Sequence, residues 1–457
     1  MTFNLKSKFN IIFGLQFSQI LRFITFLIIS AVFTKQSLTH LTKEEIGDFE
    51  LMMLLASALS YFWVTGIIQS FLPLYNNNHI FDRRTDFREK SPEIYNTFLL
   101  LSFFSLGFAL LIYLFRNNVY VYKDMRAIPH LIPLIVYFIL SNVTPLIEYI
   151  YYVRNRPYQI VNYVFWTSAA QVFLVCGAVV LKLGIDMAIW ALIAVNVVKF
   201  LWLLVLLERY AEYKFSFSYM KTHLRLGMPL VMSSLLSGST QYIDGFIASW
   251  TSLPDNFARF RYGAKELPFA SSLANGLGNG MLTEFSSPER MRRAMYDIKI
   301  KSLKMMHYLF PVTIVIMVFS KWIFSHLFNE YFSRSADVFM VYSLMIISRF
   351  LFPHTILIGL KKTRIVFWAS LLEIILNIIV SIIFVNGLGI IPSYGIVGIA
   401  LASVIVHILE KLFLIGYNYY VLHIPPKAYI PIRWYFFYSI LLGVIFVLID
   451  HKLLALY

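Results

Sequence analysis

The chain of 457 residues is 59% hydrophobic and only 14% charged, with a mean hydropathy of +0.70, which is too much apolar surface for a water-soluble protein of its length. Its 39 Lys+Arg against 24 Asp+Glu give +15 at neutral pH, a balance that could attract nucleic acid but that the basic loops of a polytopic membrane protein require anyway, so no nucleic-acid partner is expected. One cysteine, Cys176, lies in an apolar run and excludes both an intramolecular disulfide framework and a cysteine-held metal cluster.

Apolar runs of roughly 20 residues, the length that crosses a bilayer core, predict an all-α polytopic fold of about 13 transmembrane helices. In chain order they lie near 11–33, 48–74, 97–115, 128–152, 159–181, 187–207, 226–249, 263–283, 303–327, 337–359, 365–386, 394–416 and 433–449. The first carries Arg22 at its centre, with Gln16, Gln19 and Thr25 on a partly polar face. The fourth holds Glu148 close to its inner end, and the sixth holds Lys199 about two turns from its own. The seventh contains Asp244. The eighth, entered by Lys265, is small and polar (Ser271, Ser272, Asn275, Gly276, Gly278), as suits a helix packed inside protein. Ser287-Pro288-Glu289-Arg290 then caps a short surface helix expected to precede the ninth span. The tenth carries Arg349 before a kink at Phe350–Pro353; the eleventh presents Glu373 and Asn377 at i, i+4; the twelfth contains Ser403 and His407. Tyrosines 149–152 and 417–420 cluster near span ends and read as an interfacial aromatic belt.

With the N-terminus in the cytoplasm, the inner segments hold 22 Lys+Arg and the outer ones 10, which sets the orientation. No connection exceeds about 23 residues, which leaves no room for an extramembrane catalytic domain. No HExxH, GxSxG, Walker or Asp-rich motif appears, so the chain is not expected to be an enzyme or to hold a cofactor or structural metal.

Weak self-similarity relates the halves. Lys6-Ser-Lys and Lys221-Thr-His precede spans one and seven, Glu50-Leu-Met-Met echoes Glu266-Leu-Pro-Phe, and Leu183-Gly-Ile echoes Leu388-Gly-Ile. Two six-helix lobes follow, residues 1–207 and 226–416, joined by a cytoplasmic linker at 208–225, with 417–457 forming a loop and a thirteenth helix. Six is even, so both lobes enter the membrane with the same orientation, the arrangement of a parallel repeat.

Leu41-Thr-Lys-Glu-Glu-Ile-Gly-Asp-Phe, Pro229-Leu through Tyr242-Ile-Asp244, Tyr262-Gly-Ala-Lys265-Glu-Leu and Gly395-Ile-Val-Gly398-Ile-Ala-Leu-Ala-Ser403 resemble the bacterial polysaccharide (O-antigen, Wzx-like) flippases of the multidrug/oligosaccharidyl-lipid/polysaccharide exporter superfamily. The resemblance covers about residues 1–416. It implies a V-shaped pair of six-helix lobes in the bacterial inner membrane, flipping an undecaprenyl-pyrophosphate-linked O-antigen, capsule or exopolysaccharide repeat unit by alternating access. It also implies a polysaccharide polymerase and a chain-length regulator as partners, alongside membrane lipid.

A charge at mid-bilayer costs at least ~2.5–3.5 kcal/mol, so each deep one demands a partner or a wet cavity. Arg22, Lys265, Arg349 and Lys199 are the candidates to grip the pyrophosphate, Arg22 foremost because guanidinium binds phosphate oxygens in a bidentate manner. The competing role for Arg22 is a structural ion pair with Glu148 or another acid. Asp244, Glu373, Asn377, Ser403 and His407 are the candidates for a coupling ion, Na⁺ or a proton; Asp244 and Ser403 match, through the resemblance, positions of a cation site in the second lobe. Simple depth counting separates Asp244 (~27 Å into its span) from Glu373 (~12 Å). The alternative readings are a multidrug cation antiporter of the same architecture, which calls for an acidic cavity, and a polytopic polysaccharide polymerase or acyltransferase.

Overall fold

A computed structural model describes residues 11–35, 37–79, 90–265, 288–360, 362–388 and 391–450, with 270, 273, 274, 277, 278 and 281 between. Among them, ten helices are long and apolar enough to cross a membrane, or eleven if one bent pair is counted as a single span. The chain is a multi-pass, all-α membrane protein.

The thirteen expected spans differ from this count at three places. Span seven is broken after Gly238 into two shorter helices, and span ten is broken before Pro353 with a bend of 44°. Span eight falls largely outside the described residues. The expected surface helix before span nine is instead the opening of one continuous helix, Pro288–Val318, because no Gly or Pro interrupts the chain between Glu289 and Pro311. Its amphipathic start persists, with Ala294, Met295 and Ile298 buried and Arg292 and Arg293 exposed.

The helices fall into two compact units, Met1–Ser239 with Leu253–Asp255, and Thr240–Ser252 with Asn256–Tyr457. The first contains α1 (Ile11–Thr34), α2 (Lys43–His79), α3 (Pro92–Leu114), α4 (Leu131–Val143), α5 (Leu146–Val153), α6 (Pro157–Val180), α7 (Gly184–Tyr210) and α8 (Phe217–Gly238). Thr42 and Glu45 begin α2 with a reciprocal capping box: the Thr42 hydroxyl accepts from the Glu45 N–H at 3.2 Å, and the Glu45 carboxylate accepts from the Thr42 N–H at 2.7 Å. On α3, Phe103, Leu106, Leu110 and Leu114 form an exposed stripe at helical spacing, as suits a lipid-facing side. Its other side buries Leu100, Leu101 and Ala109.

The expected linker at 208–225 is mostly helical here. Only residues 211–216 separate α7 from α8, and α8 packs lengthwise along α2. Small residues permit this approach. A Cβ on Gly66 would lie 2.8 Å from the Val231 amide nitrogen, and one on Gly227 would lie 2.9 Å from Ser70 Oγ. His223 Nε2 adds a 2.8 Å contact to the Ile67 carbonyl. Gly66→Ala is therefore expected to cost about 1–3 kcal/mol, since backbone rather than a flexible side chain must yield; thermal unfolding of the purified protein reads the loss.

The second unit contains α9 (Thr240–Thr251), α10 (Pro254–Gly263) from Asn256 onward, α11 (Pro288–Val318), α12 (Ser320–Leu327), α13 (Ser335–Ser343), α14 (Ile346–Arg349), α15 (Pro353–Gly359), α16 (Thr363–Asn386), α17 (Ile396–Tyr420) and α18 (Ile432–Asp450). Helices α16 and α17 form a hairpin that α9 packs across. The hairpin turn uses Gly387 at φ +78°, and the turn before α7 uses Gly184, the glycine of Leu183-Gly-Ile, at φ +83°; the glycine and isoleucine of the second echo, 389 and 390, lie outside the described residues. The thirteenth predicted helix, α18, joins α11 through its buried face, where His307 Nδ1 lies 2.7 Å from the Tyr438 hydroxyl.

Candidate functional site

Among the described residues, each unit holds a polar site on the predicted residues. In the first unit the guanidinium of Arg22 on α1 is ion-paired with Glu148 on α5. Glu148 is buried rather than interfacial, because the chain breaks at Thr144–Pro145 and α5 is a separate eight-residue helix that turns its first acidic residue inward. Tyr137, Tyr149 and Tyr163 lie within electrostatic reach of Arg22, and Lys199 on α7 lies within reach of both members of the pair. Five helices thus converge on one ionic patch with two cations and one anion. The Arg22 side chain remains 57% exposed against 5% for Glu148. An ion pair on a side chain exposed to this degree is compatible with both the structural and the anion-binding roles.

In the second unit Asp244 on α9 is fully enclosed. Its Oδ2 accepts from the Tyr342 hydroxyl at 2.5 Å and from Ser403 Oγ at 2.6 Å, and its Oδ1 accepts from Asn377 Nδ2 at 2.9 Å. Asn377 Oδ1 in turn accepts from Ser381 at 3.0 Å and from Ser403 at 3.3 Å. Asp244, Asn377 and Ser403 therefore meet despite the depth counting. The helix break after Gly238 lets α9 begin anew, so a straight-helix count from residue 226 does not measure the depth of Asp244. These oxygens are of the hard type that suits a monovalent cation or a proton.

One turn along the hairpin, His407 Nδ1 lies 2.8 Å from Glu373 Oε1. Beyond it Lys411 Nζ donates to His354 Nδ1 at 2.8 Å, and His354 Nε2 donates to Glu410 Oε1 at 2.8 Å, contacts that fix His354 as the Nε2–H tautomer. Lys411 also approaches Glu410 Oε2 at 3.4 Å. Glu373, His407 and Glu410 offer ligand atoms within 4.8 Å of one another. Lys411 and Arg349 both act electrostatically on Glu373, and that positive charge disfavours a divalent ion there.

Among the predicted cations, Arg22 and Lys199 come together in the first unit. Arg349 ends α14 just before the break at Phe350–Phe352, and its charge acts within the Glu373 and Lys411 network. Lys265 follows the end of α10, its N–H donating to the Gly263 carbonyl at 2.7 Å. Tyr342, His354, Glu410 and Lys411 were missed. Two of them had a signal: α16 carries Ser370, Glu373, Asn377 and Ser381 on one stripe at spacings of three or four, and on α17 His407 follows Ser403 by four while Glu410 and Lys411 follow His407 by three and four. Glu410 and Lys411 escaped notice because they lie near the predicted inner end of span twelve, where charges ordinarily reach water. The helix continues to Tyr420 and keeps them buried.

No protein-family profile matches the chain, and no curated protein matches it in sequence. Solved structures do match. The lipid II flippase MurJ in an inward closed conformation aligns with a TM-score of 0.66 at 17% identity, covering 97% of this chain and 92% of that one. An inward-facing multidrug resistance MATE family transporter of the MOP superfamily aligns at 0.55 with 14% identity, covering 90% and 97%. A MOP superfamily transporter from Pyrococcus furiosus, described by the reverse polarity of its binding pocket, aligns at 0.56 with 14% identity, covering 89% and 93%. At these identities the likeness establishes the fold, which this chain shares with those transporters over nearly its whole length.

Proposed function

We propose that this protein is a flippase that carries a polyprenyl-pyrophosphate-linked oligosaccharide, an O-antigen, capsule or exopolysaccharide repeat unit, across the bacterial inner membrane by alternating access. Arg22 and Lys199 engage the pyrophosphate, and the Asp244–Asn377–Ser403 site, with Glu373 and His407 beside it, binds the coupling cation. The observation that carries the reading is the sign of the ionic patch in the first unit: two cations against one carboxylate, with the Arg22 side chain more exposed than that of its partner. Charge-assisted, bidentate donors fit a diphosphate. The fold shared with a lipid II flippase supports a lipid-linked substrate.

The second reading, a multidrug cation antiporter, draws support from the MATE-like fold and from the buried acids of the second unit. A cationic drug would meet repulsion at Arg22 and Lys199. Expression in a strain lacking its polysaccharide flippase separates the two readings: restored surface polysaccharide without resistance to cationic dyes is the expected outcome, and dye resistance without restored polysaccharide would replace the flippase reading with the antiporter.

A further inference from the structure

At the end of the first unit where α5, α6 and α7 meet, three arginines converge on one aromatic ring. The guanidinium carbons of Arg154, Arg156 and Arg209 lie 5.1, 5.7 and 5.4 Å from the centre of the Tyr210 ring. Tyr210 is buried and held in place: its carbonyl accepts from the Ser91 N–H at 2.8 Å and from Arg154 at 3.3 Å, and Asn96 binds the following connector through the Lys214 carbonyl and the Ser216 N–H, each at 2.8 Å. The acid next in sequence does not neutralise the group, since Glu208 is directed to Lys90 at 3.8 Å and to the Tyr213 hydroxyl at 3.0 Å. Neither Arg156 nor Arg209 forms an ion pair among the described residues. Arg154 is buried and donates to the Tyr210 carbonyl, whereas Arg156 and Arg209 set two like charges beside one ring, a repulsion that cation–π attraction offsets only in part.

We infer that this cluster is a binding site for a phosphate monoester or diester, supplied in the membrane by the headgroup of an anionic lipid. The cluster stands at span ends, at headgroup level, and the bias of Lys and Arg among the loops makes this the cytoplasmic end, where basic pockets between helices take lipid phosphates. The site is separate from Arg22 and Lys199 and does not depend on the substrate proposed above.

The test uses the full-length protein in detergent micelles, with added phosphatidylglycerol or cardiolipin, phosphatidylcholine, or inorganic phosphate. Anionic lipid is expected to raise the unfolding temperature by several degrees over phosphatidylcholine and to remain bound in native mass spectrometry. Arg156→Gln/Arg209→Gln should lose both effects, while Arg156→Lys/Arg209→Lys retains part of them. Equal stabilisation by inorganic phosphate alone, lost in the same Gln variant, supports the site with free phosphate as its source. Equal behaviour of anionic and zwitterionic lipid, or an undiminished lipid effect in the Gln variant, overturns the inference.

Discussion

Arg22→Glu is expected to abolish flippase complementation, with a loss of about 10- to 100-fold or more in transport, because one or two charge-assisted hydrogen bonds to phosphate are worth about 1.5–3 kcal/mol each. The substitution also sets a second carboxylate against buried Glu148, so stability falls as well. A charge exchange separates the two effects. Arg22→Glu with Glu148→Arg rebuilds the ion pair between α1 and α5 and should recover much of the unfolding temperature, but it moves the exposed guanidinium from α1 to a buried position on α5. Transport should stay lost. If the exchanged pair transports as well as the parent, Arg22 serves only as a partner to Glu148.

Asp244→Ala is expected to be the most damaging single change in the second unit. Tyr342, Ser403 and Asn377 would each lose the Asp244 oxygen they donate to, Ser403 keeping its longer contact to Asn377, and at about 1–3 kcal/mol per lost acceptor before relaxation a total of several kcal/mol is expected. Asp244→Asn preserves the volume and one acceptor oxygen and should cost less than half as much. Both variants remove the negative charge and should leave transport unresponsive to an imposed Na⁺ or proton gradient. The comparison therefore reads stability and coupling separately: a full gradient response in Asp244→Asn would remove Asp244 from the coupling role while leaving its structural one intact.

Much of the fold was readable because the bilayer imposes a length. The first six apolar runs each coincide with a span to within a few residues, since twenty apolar positions in a row have one stable solution in lipid. Pro353 marks the bend of span ten at Phe350–Phe352, and the structure has it there; hydropathy averages over a window, however, and so passed across the break at Gly238–Ser239, although Gly-Ser-Thr marks it locally. The site was readable in pieces. Helical spacing puts Glu373 with Asn377 on one stripe and Ser403 with His407 on another, but no spacing rule brings Tyr342 to Asp244 across 98 residues or Glu148 to Arg22 across 126. Those pairings follow from tertiary packing. A buried charge signals that a partner exists: among the acids the sequence offered Arg22, Glu148 is the one the structure pairs with it, whereas nothing pointed to Tyr342.

Reconstitution into proteoliposomes with a fluorescent polyprenyl-pyrophosphate oligosaccharide tests the central claim most directly. The parent protein should move the lipid between leaflets, Arg22→Glu should reduce that movement to the protein-free rate, and a cationic dye loaded in the same vesicles should not be exported. Movement of the dye with no movement of the pyrophosphate lipid would contradict the account.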